Sequence, residues 1–289
     1  MKKGILLIFT LLCFTFSFAQ EKVKDTTYWT KKGKVTFLLN QSAFSNWVAG
    51  GESTIAGNLG ANYAFNYKKD KVLWNNRIIA SYGLTNSKNS DFTKKTDDIL
   101  EFNSLVGIKA KGYWFYSFLL NFKTQFAKGY EYGKDANGKE TRTAYTNFMS
   151  PGYLLLGPGI LWEKNPNFKF NLSPIMTKFV FVDKNFTLPN NAYFGVDEGK
   201  SMRFELGFSA AAYAKFNIME NVSMENILAL YSNYLEDPQN IDIDYTMNLV
   251  MGINKYLSAN LIFQTIYDDN AYEGFQIREV FGLGINYDF

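Results

Sequence analysis

Hydrophobic and polar residues alternate with a period of two along most of this chain. In residues 114–127, the apolar side chains of Trp114, Tyr116 and Phe118 alternate with polar residues such as Ser117. Successive side chains of a β-strand point to opposite faces, so this segment is predicted to be a strand with one apolar and one polar wall. The same alternation recurs in residues 55–67, 202–208 and 241–254.

About twelve such segments predict an all-β fold, within a range of about 10–14 strands. Their predicted bounds are 34–44, 53–68, 72–84, 98–111, 114–127, 151–163, 167–182, 200–216, 221–235, 241–254, 257–268 and 277–289. Segment 221–235 alternates poorly because Asn226 interrupts its apolar face. Pro174 predicts a β-bulge in segment 167–182, because proline has no N–H to donate to a strand ladder.

Strand length and connection length favour a membrane barrel over a soluble β-protein. Most predicted strands are longer than the roughly five or six residues of soluble sheets, and about 9–11 tilted residues cross a bilayer. The short turns lie at 69–71, 111–113, 164–167, 217–220 and 254–256. The longer connections lie at 85–97, 128–150, 183–199, 236–240 and 269–276. This layout predicts a closed antiparallel transmembrane β-barrel, with a secreted soluble β-protein as the alternative.

The N-terminus has the pattern of a cleavable export signal. The basic head Met1–Lys3 precedes an apolar run at 4–18, and small residues, Ser17 and Ala19, stand before the expected cleavage site. Cys13 lies inside the apolar run rather than at its end, which disfavours a lipoprotein. The predicted organisation is a signal peptide at 1–19, a periplasmic N-terminal segment at 20–33 and an outer-membrane barrel at 34–289.

The composition excludes several classes of enzyme. The chain has no histidine and one cysteine, which lies in the predicted signal. Ser-His and Cys-His nucleophile pairs and histidine zinc sites are therefore excluded. No pair of carboxylates stands out as an acid and base, so we expect no enzymatic activity, no catalytic residue, no cofactor and no bound metal. The formal net charge of +3 is too small for a general nucleic-acid binder.

The polar walls of the predicted strands supply a candidate lumen. In a barrel these side chains face inward, and they carry both signs of charge in similar numbers. The lumen-facing candidates are Arg77, Glu101, Lys109, Lys123, Lys169, Arg203, Glu205, Lys215, Glu225, Asp242, Asp244 and Arg278. A pore that selects one class of ion should show a bias of charge in its lining. The mixed charges fit either a salt-bridged interior or a narrow channel.

Three loop features are candidates for binding. The segment with Trp47, Gly50, Gly51 and Glu52 is either a docking element anchored by the tryptophan or a glycine turn beside the aromatic girdle. Loop 128–150 has three interpretations. It folds inward as a constriction, it binds anionic lipid headgroups, or it is a mobile surface loop. Its basic residues are Lys128, Lys134, Lys139 and Arg142. Loop acids offer oxygen ligands for calcium without matching a calcium-loop spacing, and solvated carboxylates are the simpler interpretation. These acids, with one amide, are Glu236, Asp237, Asp268, Asp269, Asn270 and Glu273.

The last predicted strand resembles the final strand of Gram-negative outer-membrane proteins. Its large apolar residues occupy alternate positions and end in an aromatic side chain. These candidate assembly-signal residues are Phe281, Leu283, Ile285, Tyr287 and Phe289. The resemblance implies that the outer-membrane barrel-assembly machinery recognises this strand during biogenesis.

Motifs in the first part of the predicted barrel resemble a known barrel family. They are Asn46–Glu52, Ala56–Asn58, Trp74–Asn76 and Tyr82–Leu84. The family is the domain of unknown function 3078, and the resemblance extends over essentially the whole chain after the signal. It implies an outer-membrane location and assigns no activity.

Two functions are compatible with these observations. Balanced lumen charge favours a non-enzymatic structural or accessory subunit that acts through protein contacts at the outer membrane. The alternative is a narrow passive channel for small polar solutes. The expected partners are membrane lipid and a protein in an outer-membrane complex. The long loops are expected to be extracellular and both termini periplasmic.

Overall fold

The structure is a computed structural model that describes residues 28–45, 52–188 and 192–289. The predicted signal peptide, with Cys13, lies outside the described residues. The described chain forms fourteen strands and one short helix, α1 (Lys184–Thr187). The strands are β1 (Trp29–Ser42), β2 (Thr54–Lys69), β3 (Val72–Ser87), β4 (Lys94–Lys109), β5 (Trp114–Thr124), β6 (Gly129–Lys134), β7 (Glu140–Thr146), β8 (Gly152–Asn165), β9 (Phe168–Phe181), β10 (Met202–Met219), β11 (Val222–Asn233), β12 (Asp242–Gly252), β13 (Leu257–Asp268) and β14 (Tyr272–Asp288).

Twelve of these strands close into one antiparallel barrel. Around the ring their order is β1-β14-β13-β12-β11-β10-β9-β8-β5-β4-β3-β2. The ring closes through β1 and β14, where Leu38 lies opposite Gly284. Every barrel strand therefore has hydrogen-bonded neighbours on both sides, as an apolar solvent requires. The predicted fold class, a closed antiparallel β-barrel of about twelve strands, is confirmed.

Short turns and longer loops alternate between the two ends of the barrel, as predicted. The turns at the short-turn end are 70–71, 110–113, 166–167, 220–221 and 253–256. Connections at the opposite, long-loop end include 88–93, 125–151, 182–201 and 234–241. The connection at 269–271 is shorter than predicted because β14 begins at Tyr272. β1 begins at Trp29 rather than at residue 34, so the barrel includes part of the segment predicted to be periplasmic.

Loop 128–150 contains regular structure that the sequence pattern did not predict. Strands β6 and β7 pair as a separate two-stranded sheet, with Glu131 opposite Thr143. This hairpin stands at the long-loop end, between β5 and β8. In the described residues, no helix has the length and apolar character needed to span a membrane.

The bulge predicted at Pro174 is present and changes which side chains face inward. Met176 pairs with Gly207, but Ser173 pairs with Ser209, so β9 has one extra residue between these pairs. Before the bulge Ser173 is buried in the barrel, and after it Met176 and Lys178 are buried. An extra residue exchanges the faces to which odd- and even-numbered side chains point. In β9, odd-numbered side chains face the lumen before the bulge and even-numbered ones face it afterwards, so Lys178 points inward.

The outward wall of the barrel is apolar and exposed, whereas the inward wall is mostly polar. Tyr116 and Ile277, on β5 and β14, are 68% and 69% exposed. Inside, Leu73, Phe115 and Leu161 form a small buried cluster. The lumen therefore holds a small apolar cluster among polar side chains, and most large apolar side chains of the barrel point outward.

Candidate functional site in the barrel lumen

Side chains from opposite strands meet in the lumen. Arg77 on β3 and Glu225 on β11 form an ion pair in which Nη2 lies 3.3 Å from Oε1. These two strands are six places apart in either direction around the ring, so the pair spans the full width of the barrel. The hydroxyl of Tyr213 also donates to Glu225 Oε1 at 2.8 Å, and the amide of Asn248 donates to Oε2 at 3.1 Å. The bridge is thus held from several strands.

A second ion pair crosses the lumen further from the short-turn end. Lys123 on β5 donates to Asp244 Oδ2 on β12 at 2.7 Å, and the two strands are five places apart in the ring. The amide of Gln264 donates to the other oxygen of Asp244 at 2.9 Å. On the β4–β5 wall, the amide of Asn121 donates to Glu101 Oε1 at 2.8 Å. Successive levels of the lumen are therefore bridged by different strand pairs.

A third group of charges lies toward the long-loop end. Lys178 Nζ lies 3.0 Å from Asp242 Oδ2 and 3.5 Å from Glu205 Oε2. Arg203 Nε lies 3.0 Å from Glu205 Oε1. Lys178, Glu205 and Arg203 are largely buried, so each charge depends on its partners for solvation.

A fourth bridge joins β14 to β4. Arg278 Nη2 lies 2.6 Å from Asp97 Oδ2. Asp97 is buried, and it also accepts hydrogen bonds from the amide of Asn58, at 2.7 Å, and from the hydroxyl of Ser81. Because three donors, from β14, β2 and β3, converge on Asp97, the charge of the carboxylate is paired and its position is fixed.

Arg203 also ties three connections together at the long-loop mouth. Its guanidinium donates to the carbonyl of Gly195 at 3.0 Å, to Glu236 Oε2 at 2.7 Å and to Asn270 Oδ1 at 3.4 Å. A solvent-open depression of about 330 Å³ lies beside it, lined by polar residues that include Asp242. The mouth is consequently a cross-linked polar surface rather than an apolar ligand pocket.

The acidic residues predicted as possible calcium ligands are partly brought together. Oxygens of Asp242, Asp268 and Asp269 lie within 4.8 Å of one another. Lys178 already contacts Asp242 in this cluster, at 3.0 Å. A neighbouring cation of the protein's own thus offsets part of the negative charge that a metal ion would neutralise.

Most of the predicted lumen-facing residues take part in the network, and two important members were missed. Lys169 lies inside, with Nζ 5.4 Å from the ring centre of Tyr213. Lys109 and Lys215 lie at the short-turn end and are exposed. The missed members are Lys178, which the bulge at Pro174 turns inward, and Asp97, which lies just before the predicted start of its strand. The parity reversal expected from a bulge would have identified the lysine.

The predicted docking loop is only partly visible. Trp47, Gly50 and Gly51 lie outside the described residues. Glu52 is exposed, and its Oε1 accepts a hydrogen bond from the N–H of Asn89 at 3.0 Å. This contact connects the loop after β1 with the loop after β3.

The hairpin β6–β7 packs on the loop between β3 and β4. Glu140 accepts hydrogen bonds from the hydroxyl of Ser90 and the N–H of Asp91, both at 2.8 Å, and from Lys94 at 3.2 Å. The bond from Ser90, then that from Asp91 and the nearby Lys94 ammonium, lower the pKa of Glu140 below its usual value. The guanidinium of Arg142 lies 4.8 Å from the ring centre of Phe92. A carboxylate and a cation–π contact therefore hold the hairpin in place.

Comparison with known proteins agrees with the predicted resemblance over part of the chain. The family described as "Protein of unknown function (DUF3078)" matches residues 39–130, which confirms the resemblance there. The rest of the chain lies outside this match. A search of curated proteins found no match.

Several solved structures are similar to this chain at low sequence identity. The translocator domain of the autotransporter NalP from Neisseria meningitidis is 7% identical, with 92% of this chain and 90% of that chain covered and a TM-score of 0.41. An outer-membrane channel from Pseudomonas putida F1 is 8% identical, with 92% and 99% covered and a TM-score of 0.39. The β domain of the Bordetella autotransporter BrkA is 8% identical, with 91% and 100% covered and a TM-score of 0.35. These similarities assign no role to this chain.

Proposed function

We propose that this protein is an integral outer-membrane β-barrel of a Gram-negative bacterium. In this proposal it acts as a non-enzymatic structural or accessory subunit through protein contacts. The long-loop end faces the outside of the cell, and the short turns and both termini face the periplasm. The matched family has no assigned function, so the proposal is carried by the geometry of the barrel.

The membrane location is supported by the outward wall. Leu59, Ile175 and Leu283 lie on different strands and are each more than half exposed. Soluble monomers rarely expose contiguous apolar patches of more than a few hundred Å². An apolar wall around a closed ring of strands is the surface that contact with lipid requires.

The accessory role is supported by one observation above all, the ion pair between Arg77 and Glu225. A side chain from one wall meets its partner from the opposite wall, so the pair spans the lumen at that level. The Lys123–Asp244 pair crosses the lumen at a second level. Interiors of small barrels that are filled by side chains act as packed cores rather than as pores.

Planar-bilayer recording and copurification test this function together. We expect the purified wild-type barrel to show no steady conductance, because charged pairs obstruct the lumen. We also expect Trp47→Ala to reduce copurification of a partner from native membranes, if the tryptophan anchors the contact. Phe148→Ala is the control, because Phe148 is an exposed aromatic residue of another long loop.

A steady, ion-selective wild-type conductance, with copurification unchanged in Trp47→Ala, would support the narrow channel instead. In that case, changing Asp242 and Asp244 together to asparagine should shift the ion preference toward anions. Removal of two negative charges lowers the attraction of the lumen for cations.

A further inference from the structure

The near-neutral charge of the chain conceals a strong separation of charge along the barrel axis. Lysines are concentrated at the short-turn end. Those in its turns, or in the strand segments next to that end, are Lys31, Lys32, Lys34, Lys68, Lys69, Lys71, Lys109, Lys111, Lys164, Lys169, Lys215 and Lys255. The carboxylates of side chains at this end are Asp70, Glu163, Glu220 and Asp288. Within the described residues, none of these lysines takes part in a salt bridge of 4.0 Å or less.

The long-loop end is mildly acidic, because its connections together carry eleven acidic and seven basic side chains, and the acidic excess lies in three of them. The connections at 182–201, 234–241 and 269–271 contain two lysines, Lys184 and Lys200. Their acidic residues are Asp183, Asp197, Glu198, Glu236, Asp237 and Asp269. The short-turn mouth is therefore the more basic of the two, and an acidic partner is attracted to it.

Half of the lysines at the short-turn end lie on the inward wall rather than on the wall that faces lipid. By strand alternation, these are Lys32, Lys34, Lys68, Lys109, Lys169 and Lys215. The inward position of the set is supported by Lys169, whose Nζ lies 5.4 Å from the ring of Tyr213. Tyr213 in turn donates to Glu225 of the cross-lumen pair. Lipid headgroups around the barrel do not reach this wall.

The inward lysines form two banks on opposite sides of the mouth. One bank belongs to β1, β2 and β4, and the other belongs to β9 and β10. In the ring, β1 lies six places from β9, and β2 lies six places from β10. A single small anion contacts one bank, whereas an extended chain with several carboxylates contacts both. Above the banks, the Arg77–Glu225 pair spans the lumen, and the mouth below it is lined by these basic side chains; we call this lined mouth the basic cup.

We propose that this basic cup, at the short-turn mouth, is the docking site for an acidic polypeptide segment of a partner protein. The inference rests on the proposed function as an accessory subunit and identifies which end of the barrel the partner contacts and through what chemistry. The partner's aspartate and glutamate side chains pair with lysines that form no salt bridge within the described residues, although Lys34, Lys169 and Lys215 lie opposite Asp288, Glu163 and Glu225 on neighbouring strands. Recognition is electrostatic, so it gives fast association and weakens as salt rises.

The test measures binding of a fluorescein-labelled deca-glutamate peptide to the purified full chain in non-ionic detergent, by fluorescence anisotropy. We expect saturable binding at low ionic strength that weakens strongly as salt is raised toward about 0.5 M. The combined variant Lys32→Gln, Lys68→Gln, Lys109→Gln and Lys215→Gln should bind the peptide at least about tenfold more weakly than the wild type. These four lysines are exposed, so their replacement leaves the buried network intact.

The control variant changes the same number of exposed lysines at the long-loop end, Lys88, Lys134, Lys139 and Lys184, to glutamine. Equal loss of binding in both variants, or no binding of the peptide by the wild type, would overturn the docking site. Displacement of the peptide by phosphate or succinate at micromolar concentration would identify a small-anion site instead. Displacement by short-chain phosphatidylglycerol alone would identify a lipid site and likewise reject a polypeptide.

Failure of this inference is distinguishable from failure of the proposed function. If a partner still copurifies from native membranes with the four-lysine variant, the accessory role stands and the partner docks elsewhere. If no partner copurifies with wild type and the barrel conducts, the accessory role itself fails. Gel mobility before and after heating shows that each variant is a folded barrel, because closed barrels resist detergent until heated.

Discussion

At the scale of single residues, a polar side chain on the outward wall of the barrel needs a hydrogen-bond partner within the protein. Asn226 interrupts the apolar pattern of β11 and lies on the outward wall. Its Oδ1 accepts a hydrogen bond from the hydroxyl of Tyr245 on the neighbouring strand at 2.8 Å. A lone amide facing lipid costs free energy unless it is hydrogen-bonded. The partner on the next strand therefore explains how this position tolerates a polar residue.

Leu120 and Asn121 are adjacent in β5 but belong to opposite walls, and arginine at the two positions should have different effects. Leu120→Arg places a charge in the apolar belt and should destabilise the barrel by up to roughly 2–4 kcal/mol near the midplane. Asn121→Arg should cost less, because its neighbour Glu101 accepts a hydrogen bond at 2.8 Å and can pair with the new cation. The free energy of unfolding in detergent compares them. A greater loss in Asn121→Arg would mean that the register of β5 is inverted.

At the scale of elements, neighbouring strands approach closely where a glycine permits it. A Cβ atom on Gly207 of β10 would overlap the backbone carbonyl oxygen of Ser232 on β11. The carbonyl belongs to a strand that is paired on both sides, so it cannot move as a flexible side chain would. Glycine is thus required at this contact between β10 and β11.

Gly207→Ala should consequently destabilise the barrel by roughly 1–3 kcal/mol, because the added methyl group forces the two strands apart. Gly60→Ala is the matched control, since a Cβ atom there would lie 3.8 Å from the nearest atom, the carbonyl oxygen of Thr36. The temperature at which gel mobility changes measures both variants. Equal shifts in the two variants would contradict a role for the close approach.

The docking of hairpin β6–β7 should depend on pH through Glu140. The pKa of this carboxyl is lowered in the folded protein, chiefly by the hydrogen bond from Ser90. The contribution of Glu140 to the stability of the docked hairpin is therefore complete above the ordinary pKa of 4.5. It is lost as the pH falls through the lower pKa that Glu140 has in the docked state. The hairpin should become more mobile below about pH 4.5.

A fluorophore attached at Asn137→Cys, near the exposed tip of the hairpin, reports this motion as a fall in anisotropy. Glu140→Gln should abolish the pH-dependent step, because the amide does not titrate. Glu131→Gln should retain it, since Glu131 is exposed on the adjacent strand. Persistence of the step in Glu140→Gln would assign the transition to another group.

At the scale of the whole molecule, the charged pairs make the lumen into the barrel's core. The Arg77–Glu225 pair links strands on opposite walls, so it braces the ring across its diameter. Arg77→Ala should destabilise the barrel more than the double variant Arg77→Ala with Glu225→Gln, because the single change leaves a carboxylate unpaired. We expect a coupling free energy of roughly 0.5–3 kcal/mol from thermal unfolding in detergent. If the effects of the two substitutions on the free energy of unfolding are additive, the Arg77–Glu225 pair does not stabilise the barrel.

The alternation of side chains determined much of this protein without reference to its tertiary structure. Each of the twelve predicted segments corresponds to a barrel strand, because the period of two is set by strand geometry itself. The bulge at Pro174 followed from the missing N–H of proline. Alternation likewise predicted an inward wall of charges, since it distinguishes the two faces of a strand once one face is known to be apolar.

Only the closed ring decided which charges meet and where they collect. Arg77 and Glu225 are 148 positions apart, and their contact depends on strand order and on the narrow width of the barrel. Lys178 joined the lumen because a one-residue bulge reversed the parity of β9, which local alternation does not show. The basic cup arises because turns distant in sequence gather at one mouth. Local chemistry thus specified the walls of the barrel, whereas closure of the ring specified the contacts across it.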